Sequence, residues 1–246
     1  MFPGHRERLA PTVRWTMGDA TNHIGTLREK PLHASLKRWY AEPGDAIEVP
    51  LDEFVIDLVR DDLLVEIQTR SFSSMKKKAK TLIDRGHRMI IVHPIAVDRW
   101  IVKIDEEGSE LSRRKSPRHG APLDLFSELV AFPKLMQSPN LAIDVLLTHE
   151  EEVRHHTPDK AWRRRGWSVL ERRLIGVVDL VPLRDVTDLV GLLPPTLPTI
   201  FTTADIAAHA QCPRRIAQQA AYCLREMGAI TIVGKQGNAI EYSITG

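Results

Sequence analysis

The stretch from residue 54 to residue 69 constrains the fold of this chain more than any other. It reads as two short strands on either side of Asp61 and Asp62, because apolar residues occupy most positions of both. Strands that are apolar on both faces are typical of a sheet covered on both sides by other elements. The sequence therefore predicts a hairpin in the interior of a layered α/β fold.

The segments that follow this hairpin predict the rest of the core. A basic helix is expected from Ser73 or Ser74 to Arg85, with Gly86 ending it. The full set of expected elements is a helix at 26–40, strands at 87–93 and 99–104, a polar loop at 109–121, a helix at 122–136, and strands at 141–148 and 172–181. This alternation predicts a mixed α/β sheet flanked by helices.

A proline-rich stretch from Leu193 to Pro198 predicts a stiff linker near the C-terminus. We therefore expect one domain with an extension over residues 1–190, a linker over 191–198 and a small domain over 199–246. In the small domain a short helix, a turn, a second helix and two strands follow one another. This order resembles a winged helix-turn-helix domain.

The winged-helix resemblance implies DNA binding through the second helix of the small domain. Arg214 and Arg215 open that helix opposite its apolar stripe, so they are expected to face outward with Gln218 and Gln219. Lys235 would lie at the tip of the wing. Protein contacts are the alternative, because many such domains never touch DNA.

Two carboxylates of the hairpin are expected to face each other. If Asp61 and Asp62 form the tip, Asp57 lies opposite Glu66 in apolar surroundings, where two like charges repel. A divalent cation would remove this conflict, and hard oxygen ligands suit Mg²⁺ or Mn²⁺. Gln68 lies on the same face. The alternative is that one carboxylate is exposed at the sheet end or pairs with an arginine.

These residues also occur in a familiar order. The run Gly25 to Glu29, then Asp57, then Glu66-Ile67-Gln68 resembles the PD-(D/E)XK nuclease superfamily, which has the restriction-endonuclease-like fold. The resemblance implies that Asp57 and Glu66 bind a metal ion and that Glu29 assists from a helix. Gln68 stands where the family usually has lysine, and would position the attacking water.

The missing lysine leaves several sources of positive charge open. Lys76, Lys78 or Lys80 of the following helix could supply a migrated base, and Arg70 lies on the same strand face as Gln68. Some members of the superfamily tolerate glutamine at this place, and others that lose the motif become binding domains without activity.

A second group of cations lies between residues 112 and 120. Arg113, Arg114, Lys115 and Arg118 occur there beside serines and a glycine, a composition that can grip a nucleic-acid backbone. The alternative is a solvated loop. The run Arg163 to Arg165, between two tryptophans, is read as a loop that the tryptophans anchor to the core.

Composition limits the partners and the cellular location that can be expected for the protein. The net charge is only +2 over 246 residues, so nucleic-acid binding would depend on local clusters. No apolar run approaches the roughly 18 residues of a membrane span, and the N-terminal residues lack the apolar core of a secretory signal. Two cysteines are too few for a disulfide scaffold. A cytoplasmic, prokaryotic protein without membrane contact is expected.

Together these features predict a metal-dependent nuclease that hydrolyses DNA phosphodiesters, guided by the winged-helix domain. The first alternative is a DNA-binding or regulatory protein with a degenerate nuclease core, and the second is a protein-interaction module. Cutting both strands of a duplex requires two sites, which would favour a homodimer.

Overall fold

The computed structural model describes residues 30–157 and 166–245. It shows a mixed α/β fold with a seven-stranded sheet flanked by helices. The strands are β1 (Ala46–Leu51), β2 (Phe54–Arg60), β3 (Leu63–Ile67), β4 (Arg88–Ile104), β5 (Glu110–Lys115), β6 (Leu141–His156), β7 (Trp167–Leu183), β8 (Ile230–Gln236) and β9 (Ala239–Ile244). The α-helices are α1 (Pro31–Tyr40), α2 (Lys76–Asp84), α3 (Phe126–Leu129), α4 (Val186–Val190), α5 (Thr203–His209) and α6 (Arg214–Glu226).

The sheet combines antiparallel and parallel pairing. Its order is β1-β2-β3-β4-β6-β7, with β5 paired to β4, and β8 and β9 form a separate two-stranded sheet. Strands β2 and β3 are antiparallel, whereas β3 and β4 run parallel. Val59 pairs with Leu64 and Arg60 with Leu63, so the predicted hairpin register is confirmed.

The chain divides into two compact units. Of the described residues, the first comprises 30–42, 96–120, 146–157 and 166–180, and the second comprises 43–95, 121–145 and 181–245. The expected boundary at residues 191–198 does not separate these units, because residues 181–246 all belong to the second.

The interior of the second unit explains the apolar hairpin. All of β3 is buried, as are Ile56 and Leu58 of β2 and Met89 to Val92 of β4. Side chains of both strand faces are therefore covered, as the pattern predicted for a sheet with material on both sides.

Several expected elements differ in extent. Residues 109–121 are not a loop throughout, because β5 pairs with β4 from Ile104 to Trp100. The helix expected at 122–136 breaks into 3₁₀ turns at Pro122–Leu125 and Pro133–Gln137 around the short α3. Pro133 lacks the N–H that a continuous helix would need, and its ring clashes with the preceding turn.

The charged stretch after residue 148 extends a strand of the first unit. Glu150 and Glu152 of β6 are only 1% and 5% exposed, and each forms an ion pair with an arginine. Arg99 lies 3.3 Å from the Glu150 carboxylate, and Arg154 donates two hydrogen bonds to Glu152. Ion pairing allows these carboxylates to be buried, which strand periodicity could not reveal.

The C-terminal residues form two helices and a hairpin, in the expected order. Thr202 caps α5 through Ala204 and Asp205, and α6 follows Pro213. The apolar side of α6 packs within the second unit, where Cys223 contacts the Phe126 carbonyl and Gln137 donates to Met227 O at 3.1 Å. No helix in the described part of the chain is long and apolar enough to cross a membrane.

Candidate functional site

The structure brings the two predicted carboxylates together on β2 and β3. Asp57 Oδ2 accepts a hydrogen bond from the Ile67 N–H at 2.8 Å, and Glu66 Oε1 accepts one from the Asp57 N–H at 3.4 Å. Glu66 is only 8% exposed. The two side chains therefore occupy one partly buried position on adjacent strands, at the place that the register predicted.

A lysine from the following helix completes this cluster. Lys78 of α2 forms an ion pair with Glu66 Oε1 and donates to the Val55 carbonyl at 2.6 Å. Its neighbour Lys80 instead pairs with Asp84 on the exposed side of the same helix. Of the three lysines considered for this helix, the geometry places Lys78 beside the carboxylates.

Burial dominates the electrostatics of the pair. It raises the pKa of Glu66 to about 6, the charge of Lys78 opposes this rise, and the charge of Asp57 adds to it. Because its pKa is higher in the folded state, the Glu66 carboxyl group holds its proton more tightly in the folded protein than in the unfolded protein. Between about pH 4.5 and pH 6, ionisation of Glu66 lowers the free energy of unfolding by about 2 kcal/mol as pH rises.

Gln68 serves a different purpose from the one expected. Its side-chain nitrogen donates to the Ser71 carbonyl and to Ser74 Oγ, both at 2.8 Å. These bonds hold the 3₁₀ turn Phe72–Ser74, which leads directly into α2. The Gln68 nitrogen therefore supports the turn that carries Lys78.

The same turn is fixed from its buried side. The Gln68 carbonyl lies 2.6 Å from Nδ1 of His93, and burial lowers the pKa of this histidine. The His93 ring packs edge-on against Phe72 at 5.0 Å, and the Phe72 N–H donates to Glu128 at 3.1 Å. The start of α2 is thus tied to β4 and α3, which restricts the position of Lys78.

Some predicted residues cannot be placed. Glu29 and the run Arg163 to Arg165 lie outside the described residues. Within the described ranges, no group of three or more histidine, cysteine or carboxylate side chains could hold a metal ion. The candidate metal site there consists of the carboxylate pair alone.

The predicted basic loop is partly a strand with paired charges. Arg113 donates to Glu151 at 3.0 Å, and Lys115 lies 2.9 Å from Asp98, whose pKa its hydrogen bond lowers. Both cations also lie over the Trp100 ring, at 5.1 and 5.6 Å. Arg114 points to the opposite strand face because side chains alternate. Arg118 follows the strand and is exposed.

The outer side of α6 is polar. Arg214, Arg215 and Gln218 are exposed, and Tyr222 on the same side is 42% exposed. Gln219 was expected to face outward as well, but its Oε1 is buried without a hydrogen-bond partner among the described residues.

Lys235 is exposed near the end of β8. The hairpin turns tightly at Gly237 and Asn238, because Gln236 still pairs with Ala239. Lys235 therefore lies on the strand, immediately before the tip.

Comparison with known proteins identifies the family of this domain. The model of a family described as a domain of unknown function, DUF8091, matches residues 30–184, which is more than half of the chain. The chain belongs to the DUF8091 family. It is also 29% identical over 185 residues to an uncharacterized protein of Treponema pallidum (strain Nichols), covering 75% of this chain and 73% of that protein. No solved structure matches the chain.

The DUF8091 match includes some features of the candidate site and excludes others. Asp57, Glu66 and Lys78 lie within it, as does β5. The two C-terminal helices and the β8–β9 hairpin lie beyond residue 184. The carboxylate cluster is therefore part of the DUF8091 domain, whereas the polar side of α6 is an addition to it.

Sequence reasoning left the lysine of the cluster undecided among three candidates. Their spacing in the sequence does not show which of Lys76, Lys78 and Lys80 faces the carboxylates, since the direction of each side chain depends on where the helix begins. In the structure Ser71 caps the 3₁₀ turn Phe72–Ser74 and α2 begins after it at Lys76, so that Lys78 lies beside Glu66.

Proposed function

We propose that this protein is a metal-dependent nuclease that hydrolyses DNA phosphodiester bonds, with a core related to the PD-(D/E)XK nucleases. The observation that carries the proposal is the cluster of Asp57, Glu66 and Lys78. Two acidic groups on adjacent strands and one cation beside them match the composition that phosphodiester hydrolysis requires.

The carboxylate pair suits Mg²⁺ or Mn²⁺. Both ions prefer oxygen ligands, and Mg²⁺ in enzymes is commonly held by one or two carboxylates together with waters and substrate phosphates. Asp57 and Glu66 would hold the ion, and the raised pKa of Glu66 marks a site where an added positive charge is favourable. When bound, the ion lowers the pKa of a water and stabilises charge on phosphate oxygens.

The protein itself contributes a fixed cation. Lys78 is held by Glu66 and the Val55 carbonyl with its side chain 17% exposed, so little ordering is needed when an anion arrives. A positioned ammonium group of this kind stabilises the charge that develops on a phosphate in the transition state. Lys78 would thus take the place of the lysine that Gln68 replaces in the motif.

The C-terminal helices and hairpin would act as a winged helix that holds DNA. Arg214 and Arg215 form no ion pair within the described part of the chain, and they begin the exposed side of α6. Cations at the start of such a helix meet phosphates and base edges when the helix end enters the major groove. Lys235 would add a phosphate contact from the hairpin.

Cleavage assays test the nuclease proposal directly. With Mg²⁺ or Mn²⁺ the wild-type protein should cut DNA, and Asp57→Ala or Glu66→Ala should reduce the rate at least about 10³-fold. Asp62→Ala is the matched control, because Asp62 lies at the tip of the same hairpin with its side chain 72% exposed. Circular dichroism should show that all three variants fold. Equal cleavage by Asp57→Ala and Asp62→Ala would remove the carboxylate pair from the mechanism.

A DNA-binding protein with a degenerate core is the second candidate. It is favoured by the Gln68 side-chain nitrogen, which is bonded to the turn, and by the absence of a larger ligand cluster among the described residues. Wild-type protein that binds DNA but cuts neither DNA nor RNA across a broad substrate panel would support this candidate over the nuclease.

The C-terminal DNA contact has its own test. The variant Arg214→Ala, Arg215→Ala should bind DNA more weakly and lower the slope of log affinity against log salt by about one unit for each lost phosphate contact. Gln211→Ala, exposed in the turn between the same two helices, serves as the control. An unchanged salt slope would reassign α6 to protein contacts and leave Arg118 and its neighbours as the main cationic surface.

A further inference from the structure

Strand β7 stands at the end of the sheet order. It is 17 residues long, Trp167–Leu183, and its neighbour in the sheet is β6. Among the described strands, none pairs with its other edge. A long edge strand presents a row of N–H and C=O groups that can pair with a further strand.

The middle of this edge lacks the features that discourage pairing. Residues 174–178 read Leu-Ile-Gly-Val-Val without a charge, and Ile175 and Val178 are 38% and 46% exposed. Proteins commonly protect such edges with lysines, prolines or short strands. In β7 the proline, Pro182, comes only near the end. The central edge is therefore suited to accept another strand.

We propose that two copies of this chain associate by antiparallel pairing of their β7 strands around a two-fold axis at Gly176. Such an interface uses the same surface on both copies, so each contact occurs twice. This inference rests on β7 alone and does not depend on the proposed nuclease activity.

Charge complementarity selects the register. A two-fold axis perpendicular to the sheet lies midway between one residue and its own copy in the partner strand. With Gly176 at the axis, Arg173 lies opposite Asp179 of the partner subunit, and the reciprocal pair forms on the other side. All four side chains lie on one face of the shared sheet because the positions differ by even numbers. Two cross-strand ion pairs then flank the uncharged centre.

The neighbouring registers are less favourable. An axis at Ile175 would place Glu171 opposite Asp179, where the like charges repel. With the axis at Gly176, Ile175 instead lies opposite Val177 of the other copy, and Leu174 lies opposite Val178. Both pairs bring apolar side chains together across the two strands. Gly176 has no side chain, so the two backbones can approach closely at the axis.

Charge exchange provides the experiment. By sedimentation equilibrium the full chain should form a dimer of twice 27.8 kDa. Asp179→Arg should raise the dimer dissociation constant at least about tenfold, because it replaces both ion pairs by like charges. The double variant Arg173→Asp, Asp179→Arg reverses each pair and should restore the dimer. Glu171→Gln is the control. Arg173 also pairs with Glu171 of its own strand, at 2.5 Å, and this variant removes that pair without touching the proposed contact with Asp179.

Two outcomes would overturn the proposal. The first is a monomeric wild-type protein at concentrations up to about 100 µM. The second is a dimer that Asp179→Arg leaves unchanged, or that the double variant fails to restore although its thermal melt matches that of the wild type. If the protein is a monomer and the amides of residues 174–178 resist hydrogen exchange, another segment of the same chain covers the edge.

Discussion

Lys78→Met is expected to lower the rate of DNA cleavage about 10²–10³-fold while the protein remains folded. Methionine keeps the length and apolar stem of lysine but removes the charge that faces Glu66. Loss of one positioned group that stabilises transition-state charge typically costs this factor. Because Lys78 competes with a metal ion for Glu66, binding of Mn²⁺ should be retained in the variant.

The matched control is Lys80→Met on the same helix. Lys80 pairs with Asp84 at an exposed position, so its replacement should leave cleavage within about twofold of wild type. Rates under single-turnover conditions are the appropriate measurement, since they separate chemistry from product release. Equal rates for both variants would exclude Lys78 from the reaction.

Mn²⁺ binding by the wild type and by Lys78→Met is expected to depend on pH. A metal ion requires the ionised form of Glu66, whose pKa is raised to about 6, so Mn²⁺ affinity should fall up to tenfold per pH unit below that value. Lys78 lowers the pKa of Glu66, and its removal should shift this fall to higher pH. Isothermal titration calorimetry across pH 5–8 would measure both curves. A pH-independent affinity would exclude Glu66 as a ligand.

Arg184→Ala is expected to lower the free energy of unfolding by about 3–5 kcal/mol. Arg184 contacts Asp144 of β6 at 2.5 Å, and the Asp144 side chain is fully buried. Removing Arg184 takes its positive charge away from a carboxylate in a poorly solvated position, where an ionised group is costly to bury. Many domains have a total stability of only 5–15 kcal/mol, so a large part of the folded population would be lost at physiological temperature.

Urea denaturation followed by circular dichroism would measure this effect. Lys80→Ala provides the comparison, since exposed ion pairs contribute about 1 kcal/mol or less. The double variant Arg184→Leu, Asp144→Leu should recover part of the loss, because it removes both charges together. A change below about 1 kcal/mol for Arg184→Ala would mean that water reaches Asp144 after the substitution.

Local patterns predicted the hairpin well because its information is contained in neighbouring residues. The alternation of apolar side chains and the polar tip at Asp61 and Asp62 fix which residues pair, and a shift by one residue would turn every buried side chain outward. The position of Asp57 opposite Glu66 followed from this register alone. The C-terminal order of two helices and a hairpin was predictable for the same reason.

Sequence patterns gave the wrong secondary structure where charged residues pair with residues that are distant in the sequence. Apolar periodicity ends the expected strand at residue 148, yet Arg99 and Arg154 pair with the charged residues that follow, and β6 continues to His156. The cations of residues 113–115 read as a loop, yet β4 supplies the backbone partners that make them a strand. Such partners are separated in sequence by many residues, and periodicity does not report them.

Side-chain alternation and hairpin register depend only on neighbouring residues, and they were enough to predict a covered sheet with two facing carboxylates. The packing of α2 against this hairpin, between residues distant in sequence, was needed to show that Lys78 joins them, while the Gln68 side-chain nitrogen bonds elsewhere. The Gln68 amide is drawn to Ser71 and Ser74, and the resulting turn directs α2 so that its third residue reaches Glu66. Contacts of this kind depend on where a helix begins in space, which single-sequence patterns cannot specify.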